Sequence, residues 1–302
     1  MSLLFEALSN VRAKRRSLGV VPLAVAPPDM VAANAVRSEH TRQATALNID
    51  PPAPVGVEED VSVIVEASPK SRLVALTSPN GLGAEKFRAL VTRMDHLRKQ
   101  RELKSFQVTS SMINEGKTLV AGNVAITLAK YSGSKTLLIE GDMRRPALAA
   151  LLGLSELRGL TDWWSGRDPE PTKFICKVKD MPLWFLPAGK ACDQPSEIIR
   201  STRFVKAFAK LASQFEWIVV DSTPMLPIVD VNLWSKLVDG TLLVVREGLT
   251  GVKALKKGLQ ALDHPKWIGV VLNEAAESDQ AYYDAEYCGA SKAAAGRVEK
   301  LS

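Results

Sequence analysis

Ser110-Ser111-Met112-Ile113-Asn114-Glu115-Gly116-Lys117-Thr118 stands between an apolar run, FQVTS, and a helix-like stretch, LVAGNVAITLAKY. A loop of this composition, leaving a strand and opening a helix, fits the phosphate-binding pattern GxxxxGK[ST], with Ser111 in the place of the first glycine. The backbone N–H groups from Ser111 to Thr118 would wrap phosphate oxygens, and Gly116 would allow the close backbone approach. Lys117 would reach the β- and γ-phosphates, while the Thr118 hydroxyl would ligate Mg²⁺. Two further apolar runs end in acids. WIVV ends in Asp221, where a carboxylate would hold Mg²⁺ through water, and TLLI ends in Glu140-Gly141-Asp142-Met143-Arg144-Arg145-Pro146. If strand geometry continues that far, Glu140 and Asp142 share one face and approach both metal and nucleophile.

Such groups need strands that deliver them to one edge. After residue 70 the chain alternates short apolar runs with longer amphipathic stretches. The runs are RLVAL at 72, FQVTS at 106, TLLIEGD at 136, LWFLPAG at 183, WIVVD at 217, TLLVVRE at 241 and WIGVVLN at 267. Candidate helices are Glu85 to Gln100, Gly116 to Tyr131, Pro195 to Gln214, Val231 to Leu237 and Val252 to Leu262. This pattern predicts an α/β P-loop NTPase domain: a doubly wound, mostly parallel sheet with helices on both faces. Ligands in such sheets bind beyond the carboxyl ends of the strands, where the motifs fall.

Composition limits the alternatives. With 302 residues, 46% hydrophobic and 24% charged, the chain can bury a sizeable core. Three cysteines, Cys176, Cys192 and Cys288, form no CxxC pair, and the three histidines are scattered, so neither a disulfide scaffold nor a His/Cys metal cluster is expected. The longest early apolar run, Leu18 to Pro28, is too short to span a bilayer, and the chain reads as soluble. Residues 1–16 suit a short amphipathic helix with a basic end, and 17–70 a flexible Pro/Ala-rich linker. Residues 71–275 form the expected nucleotide-binding domain, and 276–302 a tail. Residues 1–80 carry eight basic and eight acidic side chains, so the net charge of +6 lies entirely in the remainder.

Six segments in order resemble the bacterial tyrosine kinases, P-loop autokinases that accompany capsule and exopolysaccharide export. They are SSMINEGKT, LLIEGDMRRP, FLPAGKACDQPSEIIRS, WIVVDSTPMLPIVD, LVDGTLLVVREGLT and VVLN, and the resemblance covers about 71–290. It implies that Lys117 and the loop amides bind ATP, that Thr118, Asp142 and Asp221 organise Mg²⁺, and that Glu140, standing where the family usually has Asp, is a base or metal neighbour. It also implies a homo-oligomer formed through an E-x-x-R-x-x-R helix, of which this chain has Glu85 and Arg88 but Val91 in the last place. Tyr282, Tyr283 and Tyr287, three of only four tyrosines, resemble the family's C-terminal phosphoacceptor cluster, phosphorylated on a neighbouring subunit. Implied partners are a membrane adaptor on a separate chain and an opposing tyrosine phosphatase. The implied location is cytoplasmic, peripheral at the inner face of the plasma membrane through that adaptor.

Three other readings share some of these features. A partition or septum-positioning ATPase shares the sheet, but places a signature Lys where this chain has Met112. A nucleotide-binding regulator that has lost phosphoryl transfer would suit Ser111, Glu140 and Val91. A nucleic-acid binder is disfavoured, because the basic residues are dispersed and no aromatic-interleaved basic motif occurs. Asn273, just past the last run, is a positional candidate for an adenine contact.

Overall fold

The computed structural model describes residues 62–274 apart from 155–156, 167, 169, 227–228 and 263–265. The expected N-terminal helix, most of the linker and the three tail tyrosines lie outside the described residues. The elements are β1 Ser62–Val63, α1 Val74–Thr77, α2 Leu82–Gln100, β2 Ser105–Ser110, α3 Lys117–Lys130, β3 Thr136–Glu140, α4 Leu148–Leu151, α5 Leu160–Ser165, β4 Cys176–Val178, β5 Leu183–Leu186, α6 Pro195–Arg200, α7 Thr202–Gln214, β6 Trp217–Asp221, α8 Asp230–Leu237, β7 Gly240–Arg246, α9 Val252–Ala261 and β8 Trp267–Asn273.

The strands form one sheet in the order β1-β4-β5-β3-β6-β2-β7-β8, parallel throughout except between β4 and β5. Side chains alternate across it. In β6, Trp217 and Val219 enter the core beneath α2 and α3, whereas Ile218 and Val220 enter the opposite core beneath α7 and α8. Burial on both faces is why these strands read as continuous apolar runs. A one-residue slip would exchange the two faces, so packing fixes the register that sets Asp221 opposite Val108 on one side and Glu140 on the other.

Six of the seven apolar runs are strands, and RLVAL is the exception. Leu73 is fully buried, Val74–Thr77 is a short helix, and Asn123 of α3 accepts from Ala75 N and donates to Arg72 O, both at 3.1 Å. A five-residue apolar run carries no period that separates strand from helix, and here the side-chain amide of Asn123 and packing on α3 decide. Within the span read as linker, Ser62–Val63 pairs with β4. The single helix expected over 195–214 breaks at Ser201, which is extended and whose hydroxyl caps α7 by accepting from Phe204 N at 3.1 Å.

Candidate active site

The Ser111–Thr118 loop leaves β2 and enters α3 as the spacing predicts. Asn114 and Gly116 both adopt left-handed backbone conformations, with φ of 63° and 96°. Gly116 is required twice over, because a Cβ there would also lie 2.1 Å from Asn273 Nδ2. No side chain caps the start of α3, so its first N–H groups face the loop without a built-in acceptor. The Ser111 hydroxyl at the head of the loop is buried and has no partner.

Below the loop, Lys117 Nζ lies 2.9 Å from Asp142 and 3.4 Å from Asp221, and both carboxylates are almost wholly buried. Burial pushes the Asp221 carboxyl up to about 6, although Lys117 and the Thr118 hydroxyl pull the other way. Burial alone would lower Lys117, but the two carboxylates outweigh it and hold the ammonium protonated. An ammonium bridging two buried carboxylates is the charge pattern of a divalent-cation site. Mg²⁺ takes one or two carboxylates and fills its remaining positions with water and phosphate oxygens, so Asp142, Asp221 and the Thr118 hydroxyl fit it. Among the described residues no group of three or more His, Cys, Asp and Glu converges on one point.

Glu140 is turned to a different task. Its Oε1 accepts from Leu148 N at 2.6 Å and Ala149 N at 3.2 Å, and its Oε2 from Ala188 N at 3.1 Å. Both oxygens are therefore engaged by backbone donors at the start of α4 and in the LPAG segment. This differs from the base or metal neighbour expected. Gly141, between the two acids, donates to Asp221 O at 2.8 Å, and a Cβ on it would lie 2.7 Å from Val220 Cγ1. Close approach of β3 to β6 thus sets Asp142 beside Asp221, and Trp234 of α8 holds the turn by donating to Gly141 O at 3.3 Å.

Glu85 and Arg88 pair with each other on α2, and Arg88 also donates to Pro79 O at 2.7 Å. Val91 is fully buried beneath the same helix. Position 91 therefore faces the core, where an arginine could reach no neighbouring subunit.

Other contributors went unread in the sequence, and Asn273 was read there for a different contact. Arg144 donates to the buried Asp230 at 2.7 Å and to Asp193 O at 2.6 Å, tying the GDMRRP segment to α8 and to the GKACD loop. Arg246 Nη1 donates to Asn114 O at 3.1 Å, and Thr250 bonds the buried Glu115 carboxylate. Asn273 Nδ2 donates to Glu115 O at 3.0 Å. Arg246 and Asn273 end strands at the carboxyl edge of the sheet, which is the signal that would have marked Arg246.

No family model matches the chain. Over 219 residues it is 29% identical to a putative tyrosine-protein kinase of Staphylococcus aureus, CapB, a match covering 70% of this chain and 94% of that protein. It is 28% identical over 243 residues to the succinoglycan biosynthesis transport protein ExoP of Rhizobium meliloti, covering 78% of this chain and 30% of that protein. Among solved structures, the kinase domain of the Escherichia coli tyrosine kinase ETK is 25% identical with a TM-score of 0.60, over 68% of this chain and 82% of that one.

Proposed function

We propose that the chain belongs to the bacterial tyrosine kinase family and that it transfers the γ-phosphoryl group of ATP to Tyr282, Tyr283 or Tyr287 of a neighbouring copy, in the service of capsule or exopolysaccharide export. The observation that carries this reading is the buried ammonium of Lys117 between Asp142 and Asp221, directly beneath a loop with left-handed residues at 114 and 116. Loop amides and Lys117 hold the polyphosphate and offset the charge that develops on the transferred group. Mg²⁺, when held by Thr118, Asp142 and Asp221, supplies Lewis-acid charge at the phosphate oxygens.

In the transfer a bond forms between tyrosine Oη and the γ-phosphorus while the bond to the ADP oxygen breaks. The phenol proton needs an acceptor, because a free tyrosine has a pKa near 10. Glu140 meets three backbone donors and Asp142 one, Arg145 N, beside its contact with Lys117, so of the two acids we assign that role to Asp142. Among the described residues no helix is long and apolar enough to cross a membrane. The matched region accounts for nearly all of CapB but for 30% of ExoP, so this catalytic unit occurs both nearly alone and within a longer transport protein. By its likeness to these proteins we also assign this chain a membrane adaptor on a separate polypeptide, a peripheral place at the inner face of the plasma membrane, self-association, and an opposing phosphatase.

Phosphosite mapping by mass spectrometry after incubation with MgATP, with and without an adaptor from the same genome, tests the reading. Phosphate on the tail tyrosines that disappears in Lys117→Met and in the triple Tyr→Phe variant is the expected result. Tight ATP binding with no labelled tyrosine in either condition would instead make the protein a nucleotide-binding regulator, and the engagement of Glu140 away from the metal-binding carboxylates favours that second reading.

A further inference from the structure

The phosphate loop does not hold its shape by its own bonds alone. Its outer side is fixed by three residues at or just beyond the carboxyl ends of β7 and β8, none of which belongs to the loop motif. Arg246, the last residue of β7, donates from Nη1 to the carbonyl of Asn114 at 3.1 Å. Asn273, the last residue of β8, donates from Nδ2 to the carbonyl of Glu115 at 3.0 Å. Thr250, just before α9, bonds the Glu115 carboxylate, whose other oxygen accepts from Met112 N at 3.0 Å. That carboxylate is almost fully buried although it belongs to an anion-binding loop. Arg246 is oriented in turn by Glu274, which also pairs with Arg72.

The consequence follows from peptide geometry. A trans peptide is planar, so the carbonyl of one residue and the N–H of the next point in opposite directions. Drawing the Asn114 and Glu115 carbonyls toward β7 and β8 therefore turns the N–H groups of Glu115 and Gly116 to the opposite side of the loop. With Asn114 and Gly116 left-handed, this is the succession of inward N–H groups that makes an anion-binding concavity. Fixing those dipoles before the ligand arrives removes the reorganisation that binding would otherwise require.

Resting on the nucleotide-binding reading above, we infer that Arg246 and Asn273 are positioning residues of the phosphate loop, which hold the 114 and 115 carbonyls outward so that the 115 and 116 amides face the polyphosphate. For Asn273 this replaces the adenine contact suggested by its place in the sequence.

The test is calorimetric titration of the full chain with MgADP and, separately, with magnesium pyrophosphate, which carries the phosphates and no base. Asn273→Asp keeps the shape but offers an acceptor to the Glu115 carbonyl, and Arg246→Met removes the donor to Asn114. Each is expected to weaken both ligands by the same factor, tenfold or more, where about tenfold corresponds to one charge-assisted hydrogen bond. Arg72→Gln removes a like charge from the same cluster without touching the loop and should leave both affinities within about twofold. Loss of MgADP with pyrophosphate unchanged in Asn273→Asp would make Asn273 an adenine contact and overturn the inference, as would unchanged affinities in both variants. Equal weakening in Arg72→Gln would reduce Arg246 to a source of charge and also overturn it. Asn273→Ala, with its ligand-free unfolding temperature measured alongside, replaces Asn273→Asp if that variant fails to fold. A wild-type chain that binds neither ligand removes the nucleotide reading and this inference together; wild-type binding with unaffected variants removes the inference alone.

Discussion

Replacing Asp221 with asparagine should stabilise the ligand-free protein while abolishing its response to nucleotide. The Asp221 carboxyl is raised from 3.8 to about 6 by burial, so the fold holds the ionised form at a cost. A shift of roughly two units corresponds to about 3 kcal/mol at ~1.36 kcal/mol per unit. Asparagine mimics the uncharged form and removes that cost, while Lys117 keeps its shorter contact, 2.9 Å, to Asp142. Allowing for imperfect packing of the amide, a gain of about 2 kcal/mol is expected, or ~4–8 °C in unfolding temperature for a domain of this size.

The sign with pH provides an internal control. An acid whose folded pKa is raised binds its proton more tightly in the fold than in the unfolded chain. Its penalty is therefore full above about 6, shrinks as pH falls toward the unfolded value of 3.8, and vanishes below that. Thermal unfolding followed by circular dichroism should show the variant above wild type at pH 7.5, with the gap shrunk to about a third at pH 4.5. Addition of MgADP should raise the wild-type transition and leave that of the variant unmoved. A variant no more stable than wild type at pH 7.5, or a gap as wide at pH 4.5 as at pH 7.5, would refute the reasoning.

Lys117→Met leaves two buried carboxylates without their shared cation and should cost about 3 kcal/mol in urea unfolding; combining it with Asp221→Asn should restore most of that loss, and additive effects would show that the two are not coupled. Glu140→Gln disrupts three backbone contacts and should lower stability by about 2 kcal/mol while MgADP affinity stays within about threefold. A stable Glu140→Gln variant that had lost metal-dependent binding would place Glu140 at the metal after all. Val91→Arg, which completes the E-x-x-R-x-x-R pattern on α2, should lower the urea midpoint by the equivalent of about 3 kcal/mol with no increase in oligomer size by light scattering, because the position lies in the core.

Much of this architecture is written in local pattern. Strands buried on both faces are rich in apolar residues, so β3, β5, β6, β7 and β8 stand out in the sequence; β2, whose buried Gln107 and Thr109 find hydrogen-bond partners, is marked instead by the loop that follows it, with its glycine and lysine at fixed spacing. Lys117, Asp142 and Asp221 were legible because each sits at or just beyond the end of such a run, and the parallel sheet brings those ends to one edge. Short elements were not legible. β1 and β4 have two and three residues, too few for any period, and Val74–Thr77 is helical only because Asn123 and α3 meet it.

What the tertiary structure alone decided is where each polar group points. Glu140 and Asp142 are two residues apart and chemically alike, yet both Glu140 oxygens meet backbone amides, from residues 148, 149 and 188, whereas one Asp142 oxygen meets Lys117 and the other Arg145 N. Arg246 and Asn273 lie more than a hundred residues from the loop they grip. Residue type and spacing fix which strand end a side chain occupies, because the backbone period is local. Its partners come from segments distant in the chain, and only the packed sheet brings them within hydrogen-bonding distance.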